Sequence, residues 1–194
     1  MGVTEFLPGV PDYSTAHEPV GDLFQLVTSR SDWVPMKLSE AQIDQFWRDG
    51  FLLNIPVLSH EQCDKVLDDY KYFLGQESHP GMKMLYEYHS NQSGDPNNVL
   101  MHALGHWRLT KHFHDLIYLP QVVVPSSQLL EQGRMSSVRF WHDQLFAKPP
   151  KHGGNVAWSD SSRRAAVLNY FKDGGEKMEG QFFPLVFDPV CMEQ

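Results

Sequence analysis

The chain has 194 residues, of which 41% are hydrophobic and 21% are charged, and this is enough for one ordinary domain with its own core. It contains no apolar run near the roughly 18 residues that a transmembrane helix requires, so we expect no membrane partner. Its 16 basic and 24 acidic residues give a net charge of −8, which argues against nucleic acid as a main partner.

Residues 1–37 contain four prolines and no sustained periodicity, so we predict an extended N-terminal arm. Two capping boxes follow, in which Ser39 is paired with Gln42 and Ser59 is paired with Gln62. They predict two helices, one ending at Gly50 and the next at Gly75. The apolar residues through which the arm is expected to pack are Phe6, Leu7, Phe24, Leu26 and Trp33.

The rest of the chain reads mainly as strands and loops. Apolar or alternating patterns predict strands at 51–57, 84–88, 121–125, 138–146 and 165–171. Helical pieces are predicted over 99–119, ending at Pro120, and the apolar segment 181–187 is expected to fold back onto the core. No internal repeat is present.

The sequence lacks the phosphate-binding, dinucleotide-binding, nucleophile-elbow and CxxC motifs, so these chemistries are unsupported. Its two cysteines cannot form a disulfide framework or a four-thiolate zinc site, and no secretory signal pattern opens the chain. We therefore expect a reducing, cytoplasmic compartment. Packing is the favoured interpretation of His102, His106, His112 and His114, and a metal bound by these four histidines is the alternative.

Two segments near the C-terminal end carry polar residues that suit a ligand pocket. Strict alternation in the strand 138–146 predicts that His142 and Gln144 share an enclosed face with Phe140, where their polar atoms need a partner. Arg163 precedes the last strand, and an inward Arg at a strand start can bind both oxygens of a carboxylate. The alternative for this Arg is an exposed position at a strand end.

Four segments together resemble the phytanoyl-CoA dioxygenase family. They are residues 46–52 (FWRDGFL), 138–150 (VRFWHDQLFAKPP), 159–171 (SDSSRRAAVLNYF) and 181–185 (QFFPL). The resemblance covers about residues 38–188, which we assign to a single domain, followed by a tail at 189–194. It implies an α+β, mainly β fold: a double-stranded β-helix (jelly roll) preceded by helices.

The family consists of Fe(II)- and 2-oxoglutarate-dependent oxygenases that hydroxylate small organic substrates, and iron is held by two His and one carboxylate. The resemblance implies that Arg163 binds the 2-oxoglutarate carboxylate and that His142 and Gln144 line the same co-substrate pocket. Two of the iron ligands belong to a His-x-Asp motif, yet no His in this chain is followed two residues later by Asp or Glu.

The family pattern breaks between Trp158 and Ser159, where roughly eighty residues are missing by the usual size of such domains. The iron ligands and several strands belong to that stretch. The jelly roll is therefore expected to be incomplete, with unpaired strand edges that destabilise the chain or drive self-association.

Two functions follow as alternatives. In the first, the chain is a shortened, catalytically impaired form of an iron- and 2-oxoglutarate-dependent oxygenase that acts on a small molecule. In the second, it is a non-catalytic binding or regulatory module that associates with the full-length enzyme or another partner. Iron-dependent succinate production separates the two, because a binding module gives none.

Overall fold

The computed structural model describes residues 3–27, 29–73, 78–92, 95, 100–148 and 163–172. Within these residues the chain combines helices with antiparallel sheets, so the α+β class is confirmed. The helices are α1 (Arg30–Trp33), α2 (Glu40–Asp49), α3 (His60–Phe73), α4 (Lys111–Leu116) and α5 (Pro120–Leu130). The strands are β1 (Thr4–Leu7), β2 (Val10–Asp12), β3 (Glu87–His89), β4 (Met101–Leu104), β5 (Val138–Lys148) and β6 (Arg163–Lys172).

Both capping boxes are confirmed. Ser39 Oγ accepts the backbone N–H of Gln42 at 3.3 Å, while Gln42 Oε1 accepts the N–H of Ser39 at 2.9 Å. The corresponding distances between Ser59 and Gln62 are 3.2 and 2.8 Å. Helix α2 ends at Gly50, whose φ of 81° is a left-handed conformation that glycine adopts without steric strain. The predicted stop at Gly75 lies outside the described residues.

The strands form two sheets. Strands β1 and β2 make an N-terminal hairpin, and the order of the larger sheet is β3-β4-β5-β6, with every neighbouring pair antiparallel. The strands predicted at 138–146 and 165–171 are confirmed as parts of β5 and β6. The strand predicted at 84–88 lies slightly later, because residues 80–84 form a short 3-10 turn.

Two predicted elements are wrong, and a third is correct only in part. Residues 51–57 contain no strand, and the positive φ of 59° at Asn54 interrupts the extended backbone. Residues 121–125 belong to α5 instead, where Pro120 takes the first helical turn, the place at which a missing N–H costs nothing. Helical pieces were predicted over 99–119, and α4 confirms them in part, but this segment also contains the short, buried strand β4.

A bulge in β5 changes which residues share a face. Pairing to β6 shifts register between Phe140 and His142, so Trp141 is the extra residue of a bulge. Phe140 therefore lies on the same side as Leu145, whereas His142 lies on the other side. The prediction that Phe140 and His142 share a face is wrong, because strict alternation holds only in a strand without a bulge.

The main core lies between the helices and the Leu145 side of the large sheet. Its buried members come from the N-terminal segment, α3, β4, α4, the residues after α4, and β5, and they are Leu23, Tyr70, Met101, Ala103, Phe113, Leu116, Leu119, Leu145 and Ala147. Leu23 is 3% exposed, whereas Leu26 is 60% exposed. Phe24 also packs on the core, but Phe6 and Leu7 are exposed. The arm thus packs through only part of the predicted set.

Asp115 of α4 attaches the N-terminal segment to the core. Its completely buried carboxylate accepts backbone N–H groups from Val20 at 2.8 Å, Gly21 at 2.9 Å and Leu23 at 3.1 Å. A Cβ added at Gly21 would lie only 2.7 Å from Asp115 Oδ2, so glycine permits this close approach. Gly21, which the sequence analysis assigns to the N-terminal arm, therefore lies directly against α4.

Candidate functional site

The three sequence-predicted site residues occupy one face of the large sheet. In the β5–β6 register, His142 pairs with Asn169, Gln144 pairs with Val167, and Lys148 pairs with Arg163. Because paired residues and alternate residues share a face, the backbone positions of His142, Gln144 and Arg163 lie on the side away from the helices. Their role in binding 2-oxoglutarate stays a prediction.

His142 is held in place by polar contacts on its own face. It is 9% exposed, and its Nδ1 lies 3.2 Å from the carbonyl oxygen of Asp143. The amide of Asn169 donates to the carbonyl oxygen of His142 at 3.3 Å. With the hydrogen on Nδ1, the ring donates to Asp143 O and leaves Nε2 as a hydrogen-bond acceptor. Such a ring can orient a ligand that carries an N–H or O–H group.

The same face continues across β4 and β3 with groups that the sequence analysis did not connect to the site. His102 pairs with Phe146, and their rings stack at a centroid distance of 4.4 Å. Glu87 Oε1 lies 2.8 Å from His89 Nε2 and 3.5 Å from His102 Nδ1. Burial lowers the pKa of His102. The alternation of Glu87 and His89 was the only sign in the sequence of polar groups on this face. It could not be connected to the site because β4 was not predicted as the neighbouring strand.

The four histidines proposed as a metal site are separated by the fold. His102 lies on the sheet face just described, while the ring of His106 is buried against Phe113 at 4.5 Å. Nε2 of His114 lies 3.1 Å from the carbonyl oxygen of Glu18. The described structure therefore does not group these four histidines around one metal position. Across the described part of the chain, no group of three or more His, Cys, Asp or Glu side chains is arranged to hold a metal ion.

His112 has a different role, because its ring joins two elements. Nδ1 lies 3.1 Å from Asp69 Oδ1 of α3, and Nε2 lies 3.0 Å from Asp22 Oδ1 of the N-terminal segment. The backbone N–H of His112 also donates to Asp69 Oδ2 at 2.8 Å. His112 is therefore more than a packing residue, because its ring contacts two carboxylates.

Asp143 lies on the opposite face from His142 and is 1% exposed. Its two carboxylate oxygens accept the backbone N–H groups of Gly105 and Trp107, each at 2.9 Å. Burial raises the pKa of Asp143 to about 7, although these hydrogen bonds favour the ionised form. The adjacent His142 and Asp143 lie on opposite faces and therefore cannot bind one metal ion together.

The raised pKa of Asp143 predicts a pH-dependent contribution to stability. Because the pKa of Asp143 is higher in the folded state than in the unfolded state, protonation of this carboxyl stabilises the fold. The stabilising contribution is complete below about pH 4 and is lost as the pH rises through about 7. We expect the free energy of unfolding of wild type, minus that of Asp143→Asn, to fall across this range. Urea denaturation of both proteins between about pH 4 and pH 8 measures the difference.

Wild type has to be compared with Asp143→Asn because His106 also makes a pH-dependent contribution to stability. Burial lowers the pKa of His106 to about 4, so its contribution to stability changes with pH in the opposite direction. This contribution is common to wild type and Asp143→Asn and cancels in the difference. Two stability curves that run parallel throughout the pH range would contradict the raised pKa of Asp143.

The iron site of the resembled family does not fit the residues present. No His-x-Asp or His-x-Glu occurs in the sequence, and the described residues bring no two histidines and one carboxylate into a shared coordination geometry. On the polar face, the side-chain amide of Gln144 offers a hydrogen-bond donor that an organic acid could accept.

No protein-family model matches the chain, and no curated protein matches it significantly. In the described part of the chain, no helix is both long enough and apolar enough to cross a lipid bilayer. The functional expectations for Arg163, His142 and Gln144 thus depend on the motif resemblance and on the geometry of the sheet face.

Proposed function

We propose that the chain is a shortened member of the phytanoyl-CoA dioxygenase family that keeps the 2-oxoglutarate-binding residues and lacks the iron ligands. In this proposal, the four-stranded sheet is the remaining part of a double-stranded β-helix. The full-length form would hydroxylate a small organic substrate with Fe(II) and 2-oxoglutarate. The supporting observation is that His142, Gln144 and Arg163 occupy one face of the sheet, opposite the helix-covered face.

The proposed co-substrate is recognised by three kinds of side chain. A guanidinium at position 163 forms two parallel hydrogen bonds with the distal carboxylate of 2-oxoglutarate. The amide of Gln144 donates to a carboxylate or keto oxygen, and the ring of His142 lines the same pocket. Because β5 and β6 are hydrogen-bonded along Val138–Lys148, these positions are held on a rigid element.

The proposal predicts binding of 2-oxoglutarate without turnover. Titration calorimetry with 2-oxoglutarate should detect binding, and Arg163→Met should weaken it about tenfold or more by removing a paired charge. Addition of Fe(II) should give no succinate, because the sequence lacks a His-x-Asp motif and the described residues form no group of iron ligands.

The adjacent Arg164 offers a matched control. It pairs with Ala147, a core residue on the other side of β5, so Arg164→Met should leave 2-oxoglutarate affinity nearly unchanged. Equal losses in both variants, or a chain that does not bind 2-oxoglutarate at all, would contradict the assignment of Arg163. Iron-dependent succinate formation would show instead that the chain is a complete enzyme.

A second proposal is a non-catalytic module that associates with the full-length enzyme or with another copy of itself. It is supported by β6, which has one neighbouring strand in the described residues and exposes Val167 to 37%. An unpaired strand edge offers backbone N–H and C=O groups to a partner strand. The absence of both 2-oxoglutarate binding and succinate formation would favour this second function.

A further inference from the structure

A cleft of about 270 Å³ lies between the N-terminal hairpin, the C-terminal part of α3 and the turn that leads into α4. We call it the hairpin cleft. It shares no residue with the sheet face that carries His142 and Gln144. Its volume is just below the range of about 300–1,000 Å³ that is typical of drug-sized ligands, so it suits a small metabolite.

The hairpin cleft has an apolar floor and an aromatic wall. Val10 and Leu109 are 9% and 5% exposed, and together with Met84 they form a small hydrophobic cluster beneath the cleft. The rings of Tyr72 and His79 meet edge to face at a centroid distance of 5.9 Å. Such a surface favours contact with an aliphatic or aromatic group.

Opposite charges lie on the polar side of the cleft. Asp69 is held by two contacts to His112, one from the backbone N–H and one from the ring, and its two oxygens have capacity for further hydrogen bonds. Lys111 directly precedes His112, and its half-exposed ammonium lies 3.7 Å from Asp22 Oδ1. Both side chains line the cleft, so it offers one anion and one cation to a ligand.

Thr110 adds a hydroxyl group that the described part of the protein does not satisfy. It is 7% exposed, lines the cleft, and has no hydrogen-bond partner for Oγ1 among the described residues. Nor does this side chain cap α4, although Thr110 occupies the N-cap position. A buried hydroxyl without a partner is costly, and an acceptor in the cleft would remove that cost.

We propose that the hairpin cleft binds a free α-amino acid with an apolar or aromatic side chain. The ammonium group of the ligand lies against Asp69, and its carboxylate interacts with Lys111 and the hydroxyl of Thr110. Its side chain packs on Val10 and against the ring of Tyr72. A zwitterion is the ligand class that matches one anion and one cation beside an apolar floor.

Three probes of the same size test this proposal on the whole chain. L-phenylalanine carries both charges, phenethylamine lacks the carboxylate, and 3-phenylpropionate lacks the ammonium. Titrations followed by amide chemical shifts should give a dissociation constant of about 1 mM or tighter for L-phenylalanine and about tenfold weaker binding for each analogue. Equal affinity for either analogue, or no shift at about 10 mM L-phenylalanine, would overturn the proposal.

Two lysine variants provide the residue-level test. Lys111→Met should weaken L-phenylalanine about tenfold and leave phenethylamine unchanged, because only the former carries the carboxylate. Lys83→Met, at an exposed position outside the cleft lining, should change neither affinity. If Lys83→Met weakens L-phenylalanine as much as Lys111→Met does, or if Lys111→Met weakens both probes equally, the cleft is not an amino-acid site.

Discussion

Replacing Asp115 with Ala should lower the free energy of unfolding by about 3 kcal/mol or more. The variant leaves the backbone N–H groups of Val20, Gly21 and Leu23 without their acceptor, and at least the last of these is buried. Release of the N-terminal segment into water limits the loss, since the freed N–H groups then bind water. Urea denaturation measures the change in stability, and limited proteolysis near Val20 should become faster.

Asp44→Ala is the matched control for Asp115→Ala. Asp44 lies on an exposed position of α2, where the substitution should change stability by less than about 0.5 kcal/mol. Similar losses for the two variants, or unchanged proteolysis of the N-terminal segment in Asp115→Ala, would contradict the role of Asp115 as its anchor.

Replacing Tyr170 with Ala should lower stability by about 3 kcal/mol, and Tyr170→Phe should lower it by about 1 kcal/mol. The hydroxyl of Tyr170 donates to the carbonyl oxygen of Ile117 at 2.7 Å, and its ring packs edge to face on Phe140 at 5.6 Å. These contacts connect β6 to Ile117, the residue that follows α4, and to β5. Thermal and urea denaturation measure both losses.

Val167→Ala serves as the comparison for Tyr170→Ala. Val167 belongs to the same strand, but its side chain lies on the other face and is 37% exposed, so we expect a loss of less than about 1 kcal/mol. If Tyr170→Ala proves no more destabilising than Val167→Ala, β6 is not packed against the helices as described. The two halves of the chain would then not share one core.

Local sequence rules were sufficient where the structure depends on neighbouring residues. The starts of α2 and α3 could be predicted because a Ser and a Gln three residues apart satisfy each other's backbone groups within one turn. The end of α2 at Gly50 follows for the same reason, since glycine alone pays no steric cost at a φ of 81°.

Other parts of the fold depend on contacts that are distant in sequence. The β-branched run 122–124 favours a strand locally, yet these residues form α5, where Val123 and Val124 become buried. Asp115 and Gly21 are 94 positions apart, so no local pattern indicates that they meet. The N-terminal segment was therefore predicted as an arm although its residues 20–23 are fixed to α4.

The candidate site, too, could be predicted only where it depends on neighbouring residues. Alternation along β5 correctly grouped His142 with Gln144, but it placed Phe140 with them because a single-residue bulge at Trp141 leaves no clear mark in the sequence. The adjacency of His102 to Phe146 requires knowledge of the β4–β5 pairing. Single-strand alternation cannot give that pairing.

We propose that a segment carrying the iron ligands is absent between Trp158 and Ser159. Sequencing the native transcripts across these two codons tests it most directly. We predict a longer transcript with roughly eighty additional codons, the number suggested by the usual domain size, and with a His-x-Asp motif among them. A direct Trp158–Ser159 junction in every native transcript would contradict the claim, and the chain would then act as a binding module.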